Sequence, residues 1–200
     1  MKNNKKIYDI VFILDKSGSM ANLADDTVGG FNSMIQKQKS EKADDKVFVT
    51  TFLFNNKVEC LHKRIPLENI EPLTGSQYVC AGNTALYDAI GSAIEYLDEE
   101  HLNLARHGKK IANEALFIIS TDGMENTSKK YNLQKISQLI EKRKTQNIDF
   151  MFIGANIDTE RCAKDLSIDK KMDFTTSKQG VENMFVNINS EILMLRKKMR

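Results

Sequence analysis

Carboxylates and hydroxyls gathered in three short segments carry the chemistry of this 200-residue chain: Asp15-Lys16-Ser17-Gly18-Ser19, Gly82-Asn83-Thr84 and Ser120-Thr121-Asp122-Gly123. None contains a thiol or an imidazole. A donor set made only of oxygen suits a hard divalent cation such as Mg²⁺, which takes an octahedron of oxygens at about 2.0–2.1 Å. Positions 15, 17 and 19 alternate, so an extended or turning segment presents their oxygens to one side. Gly18 opens conformations that other residues avoid. Two aspartates balance a 2+ ion, and neutral hydroxyls quench it no further. A cation held by Asp15, Ser17, Ser19, Thr84 and Asp122 therefore stays a good electrophile, and a carboxylate from a partner can complete its shell. Mg²⁺ is the first expectation, with Mn²⁺ or Ca²⁺ as alternatives.

The segments can act together only if the elements between them bring them together. Four nearly continuous apolar runs, Ile7–Leu14, Val47–Phe54, Ala115–Ile119 and Ile148–Ile153, have the character of parallel strands buried on both faces. Between them lie stretches with helical spacing. Leu86, Ile90, Ala93, Ile94 and Leu97 share one face, as do Leu133, Ile136 and Ile140, and as do Val181, Met184, Phe185, Ile188, Ile192 and Leu195. A further helix is expected over Asn22–Gln38. Strands alternating with helices predict a three-layer, doubly wound, Rossmann-like sheet. Only Asn55 and Asn56 separate Phe54 from Lys57, and Asn tolerates the φ > 0 of a tight hairpin. Lys57–His62 is thus expected to fold back as an antiparallel edge strand, with Pro66 and Pro72 in the loop beyond it, and a short last strand is expected near Met172–Phe174. In such sheets ligands bind beyond the carboxyl ends of the strands, where strand order reverses. If the first strand neighbours Ala115–Ile119, the three segments meet there.

The chain is expected to form one domain over residues 1–200, with a core from about 7 to 198, since its length matches a single unit that buries about 70% of its unfolded surface. Basic and acidic residues nearly cancel, 29 against 27, which argues against nucleic-acid binding. The apolar run at Ile7 is broken by Asp9 and lacks a cleavage site, so it does not have the form of a signal peptide. No run approaches the ~20 apolar residues of a membrane span. Cys60, Cys80 and Cys162 are odd in number, widely spaced and without C-x-x-C, which fits reduced thiols in a cytoplasmic protein.

VFILDKSGSM, AGNTALYDAI and IISTDGMENTS resemble the three segments of the metal-ion-dependent adhesion site (MIDAS) of von Willebrand factor A (vWA) domains, and the resemblance covers nearly the whole chain. It implies the doubly wound sheet with one antiparallel edge strand. It implies hydroxyl ligands at Ser17, Ser19 and Thr84, with Asp15 and Asp122 acting directly or through coordinated water. Family members mostly bind proteins rather than catalyse. The similarity is to intracellular bacterial members, which often work beside ATPases or within stress-response and metal-resistance systems. The expected function is thus a divalent-cation-dependent protein-binding module, not an enzyme, gripping a Glu or Asp of a protein partner.

Plainer readings exist for each fragment. Thr84 reads as the N-cap of its helix, Asp122-Gly123 as a turn, and Ser17 and Ser19 as loop hydroxyls; none explains why all three segments occupy matching places. Met124–Asn126, Lys16 and Met20 are expected to rim the cation. His62, His101 and His107 read as surface residues, and Lys2, Lys5, Lys6 and Arg196–Arg200 as solvated tails. The alternative function is a metal-dependent phosphohydrolase using Asp15. Haloacid-dehalogenase-like phosphatases want a second Asp two residues after the nucleophile, and that position here is Ser17.

Overall fold

Apolar, β-branched and aromatic residues make the runs around Val11, Val49, Ile118 and Phe152 into the centre of a six-stranded sheet in the computed structural model, which describes residues 5–197. The strands are β1 (Lys6–Asp15), β2 (Asp45–Phe54), β3 (Val58–Pro66), β4 (Glu114–Thr121), β5 (Ile148–Gly154) and β6 (Lys170–Asp173), in the spatial order β3-β2-β1-β4-β5-β6. All neighbours are parallel except β2 and β3, which form the antiparallel edge. The chain builds outward from β1 to one edge, then returns to lay β4 on the other side of β1. Strand order therefore reverses between β1 and β4, where Leu14 stands opposite Ser120. This is the crevice at which open α/β sheets bind ligands.

Helices cover both faces. α1 (Ala24–Ser40) and α5 (Lys178–Lys197) pack on the face presented by Tyr8, Ile10, Phe12 and Leu14. α2 (Leu86–Arg106) and α3 (Leu133–Lys144) cover the face of Val11 and Ile13, together with the short α4 (Thr159–Asp165). The apolar face predicted for each helix is buried: Ile90, Ala93 and Ile94 on α2, Ile136 and Ile140 on α3, Val181, Ile188 and Ile192 on α5. No helix among the described residues is long and apolar enough to cross a membrane.

Several expectations are corrected by the packing. The helix expected from Asn22 begins as a 3₁₀ turn, Gly18–Leu23, and becomes α-helical only at Ala24. Pro66 ends β3 opposite Phe48 instead of lying in a loop; β3 is an edge strand, where proline's missing donor costs little. α4 went unforeseen because seven residues carry too little periodicity. His62 is buried, its ring stacked on Phe31 at 6.3 Å and its Nδ1 at 3.0 Å from the Thr51 hydroxyl. His101 is partly buried, with Nε2 2.6 Å from the buried Asp9 carboxylate, which also meets Arg64 at 3.0 Å. Arg196 belongs to the core and not to a tail: it makes a two-point bond to Asp45 at 2.9 and 3.0 Å and another to the Gln38 amide oxygen at 2.6 Å. Lys5 pairs with Asp44 on the surface. Lys2 and positions 198–200, including the expected end of the core, lie outside the described residues.

Candidate metal centre

Asp15 is the last residue of β1 and Asp122 the first after β4, so adjacent parallel strands deliver the two carboxylates to one end of the sheet. Asp15 is clamped on both oxygens. The Ser17 amide donates to Oδ1 at 2.6 Å, and the Thr121 hydroxyl donates to Oδ2 at 2.5 Å. Ser17 is extended (φ −65°, ψ 169°) and precedes the 3₁₀ turn that carries Ser19. The turn sets the two serine hydroxyls 3.1 Å apart, and the Ser19 hydroxyl donates to Asp122 Oδ1 at 2.6 Å. A side chain at Gly123 would place its Cβ 3.0 Å from the Thr84 hydroxyl and 3.9 Å from that of Ser19. The structure thus brings all five predicted residues to one crevice.

Its electrostatics are unusual for a protein interior. Asp15 is 1% exposed and Asp122 6%, yet among the described residues no Lys, Arg or His pairs with either. Lys16, the nearest cation in sequence, turns to Glu59 at 3.0 Å and to the Gln77 carbonyl. Burial pushes the Asp15 carboxyl above its usual range; the Thr121 and Ser17 hydrogen bonds oppose the shift, and the Asp122 charge adds to it. Two buried acids sharing a hydroxyl-lined crevice are costly unless something positive joins them. Two carboxylates with three hydroxyls fit a hard divalent cation, Asp15 and Asp122 supplying charge and Ser17, Ser19 and Thr84 neutral oxygens. Among the described residues no group of three or more His, Cys, Asp or Glu side chains is arranged to hold a metal.

Several contacts that build the crevice were not read from the sequence. The Tyr78 hydroxyl donates to the main-chain oxygen of Asp15, closing the floor. Gly82 has φ +78°, and a Cβ there would lie 1.9 Å from the Asn56 amide oxygen, so only glycine allows its carbonyl to receive the Gly18 amide at 3.0 Å. Thr84 is not a helix cap: Ala85 precedes α2 and makes no side-chain cap. The cap comes from the loop after β4. The Glu125 carboxylate accepts from the Tyr87 amide at 2.9 Å, Ser128 Oγ from the Asp88 amide at 3.0 Å, and Asn126 Oδ1 from the Thr84 amide at 3.0 Å. Glu125 and Asn126 therefore lock two of the three segments together. Of the expected rim, Met124 is 67% exposed, but Met20 is 1% exposed and belongs to the core.

Comparison with known proteins supports the architecture. No family profile matches the chain, and no curated protein is significantly similar in sequence. Solved structures do match. The pilus adhesin SpaC of Lactobacillus rhamnosus GG, in an open conformation, superposes with a TM-score of 0.68 at 15% identity over 95% of this chain and 30% of its own. Proximal thread matrix protein 1 of the mussel byssus, with zinc in its MIDAS motif, gives 0.62 at 13% identity over 94% of this chain and 46% of its own. The VWA domain of SpRpn10 gives 0.57 at 11% identity, covering 92% of this chain and 95% of that domain. The chain thus spans less than half the length of the mussel and pilus proteins, and nearly all of the isolated domain. At these identities the likeness concerns the fold, which is that of a vWA domain.

Proposed function

We propose that this chain is a divalent-cation-dependent protein-binding module whose metal is held by Asp15, Ser17, Ser19, Thr84 and Asp122 and grips a Glu or Asp of the partner. One observation carries the reading: two buried carboxylates converge in a hydroxyl-lined crevice without a basic side chain beside them among the described residues. When bound, Mg²⁺ supplies a Lewis-acidic centre that this lightly charged set leaves short of electrons. The chain's own residues do the rest. Asp15, fixed by the Ser17 amide and the Thr121 hydroxyl, keeps its charge aimed into the crevice. Ser19 holds Asp122 in register, and the Glu125 and Asn126 locks keep Thr84 against Gly123. The zinc-occupied motif of the mussel protein and the adhesive role named for the pilus protein support this reading by analogy. The phosphohydrolase alternative is disfavoured: Ser17 stands where a second acid is wanted.

The test is a calorimetric titration of the full chain with Mg²⁺ and Mn²⁺. Wild type should bind one equivalent and Asp122→Ala none, while both keep the same circular-dichroism spectrum. An Asp122→Ala variant that binds the ion as tightly as wild type would sink the proposal. Mg²⁺-dependent phosphatase activity lost in Asp15→Asn would instead favour the alternative.

A further inference from the structure

Beside the metal centre runs a cleft of about 290 Å³ whose walls include Gly123, Met124 and Glu125 from the loop that carries Asp122, and Leu86, two residues after Thr84. Its floor is apolar, formed by Leu86, Phe152 and Leu166, which are buried, with the half-buried Ile157 and Cys162. The size lies at the small end of ligand sites, which run about 300–1,000 Å³, and suits one large side chain better than a cofactor. Gly123 belongs to both places: it borders the Thr84 and Ser19 hydroxyls on one side and the cleft on the other. The cleft therefore adjoins the place where a partner's carboxylate would reach the metal.

The rim is charged with one sign in excess. Glu125, Asp158 and Asp165 face a single cation, Arg161. Arg161 meets Asp165 at 3.7 Å through exposed side chains, an i,i+4 pair that water and salt screen heavily. Asp158 spends one oxygen on the Arg161 amide as the cap of α4. The surplus of negative charge around an apolar floor favours an occupant with an apolar body and a positive neighbour. At the lip, Met124 offers an exposed, adaptable thioether surface that accommodates different apolar shapes.

We infer that the partner segment carries, within a few residues of the acidic residue that reaches the metal, a large apolar side chain that fills this cleft and a Lys or Arg that meets Asp158 and Asp165. The inference rests on the metal-binding reading above for its acidic residue, and on the cleft's own shape and charge for the other two. The metal selects a carboxylate, which most surfaces possess. The cleft selects which carboxylate, by what stands beside it.

The test uses the full chain as bait for a random peptide display library in Mg²⁺. The expected consensus is an acidic residue, then Leu, Met or Phe, with a Lys or Arg adjoining. The enriched peptide is then measured by fluorescence anisotropy. Ile157→Ala should weaken it about tenfold or more with unchanged Mg²⁺ affinity. Asp165→Lys should weaken it too, and a peptide with Glu in place of its Lys or Arg should restore binding to that variant. Peptides that need Mg²⁺ and Asp15 but ignore both cleft variants would overturn the cleft and leave the metal reading standing. Peptides sensitive to the cleft variants but indifferent to EDTA and Asp15→Ala would refute the metal reading and the acidic part of the motif. A consensus without the acidic–apolar spacing, a match to a segment of this chain itself, or no enrichment would overturn the inference.

Discussion

The Ser19 hydroxyl donates to Asp122 Oδ1 at 2.6 Å, joining residues 103 positions apart in sequence. Ser19 sits on the 3₁₀ turn after β1 and Asp122 on the loop after β4, so this bond closes the crevice across the reversal of strand order. Both groups also belong to the donor set assigned to the cation. Replacing Asp122 by Asn keeps the hydrogen-bond acceptor and removes one of two buried like charges. Without metal, Asp122→Asn should be at least as stable as wild type. At tenfold over its Kd, a bound cation adds about 1.4 kcal/mol, which corresponds to a Tm rise of roughly 3–6 °C for a chain of this size. Calorimetric scans with Mg²⁺ and with EDTA should show that rise in wild type and none in Asp122→Asn. An equal rise in both would remove Asp122 from the site.

Among the described residues Glu125 hydrogen-bonds through its carboxylate to none of the five proposed ligands, yet it should govern them. Its carboxylate accepts from the Tyr87, Thr127 and Ser128 amides and from the Ser128 hydroxyl. Glu125→Ala strands the Tyr87 amide at the start of α2 and the Thr127 and Ser128 donors in the loop after β4, which costs about 1–3 kcal/mol, and leaves Asn126 and Ser128 as the remaining ties between that loop and the Thr84 segment. Urea unfolding should register the lost stability and titration a weaker Mg²⁺ affinity, with Glu125→Gln between the two. Unchanged metal affinity in a folded Glu125→Ala would show that Thr84 is placed without this lock.

The central strands were legible because a strand buried on both faces must be apolar throughout, as Ile10–Leu14 and Leu116–Ile119 are. The antiparallel edge was legible because Asn55-Asn56 admits a tight turn. Convergence of Asp15, Thr84 and Asp122 was conditional on β1 lying beside the Ala115–Ile119 strand, an adjacency that the sheet order supplies. What escaped was set by tertiary contacts. Glu125 and Tyr78 act on main-chain groups 38 and 63 residues away, and no local pattern signals such pairs. Arg196 and His62 looked like surface residues because polar side chains usually are; each is buried because a partner from another element satisfies it.

Arg196 shows how strong such a pairing is. With Asp45 it forms a two-point ion pair, both side chains at least nine-tenths buried, and it also binds Gln38. Arg196→Met should destabilise by about 3–5 kcal/mol, because Asp45 is left charged and unpaired. Adding Asp45→Leu should recover most of the loss, since an apolar pair of similar volume replaces both charges. Chemical denaturation of the two single variants and the double checks this. Losses that simply add would mean the pair is not coupled.

His62 supplies a pH dependence independent of the metal centre. The ring is 5% exposed, stacked on Phe31 and bonded to Thr51, and burial holds its pKa below the ordinary value, against a smaller opposing effect from the main chain at Glu71. In the unfolded chain the same group titrates near the usual ~6.5. Above that pH both states are neutral at this position and its contribution to stability is intact. As pH falls below it, the unfolded chain binds a proton that the folded chain refuses, so stability drops by up to about 1.4 kcal/mol per pH unit until the folded pKa is reached. Below that point both states are protonated and the loss stops growing. His62→Gln keeps a polar group for Thr51 and does not titrate. Wild type should therefore hold its largest advantage over His62→Gln above pH 7, and that advantage should shrink as pH falls through 6. Urea unfolding of both proteins across this range reads the gap directly. A gap that stays constant would mean that the folded protein accepts the proton as readily as the unfolded chain.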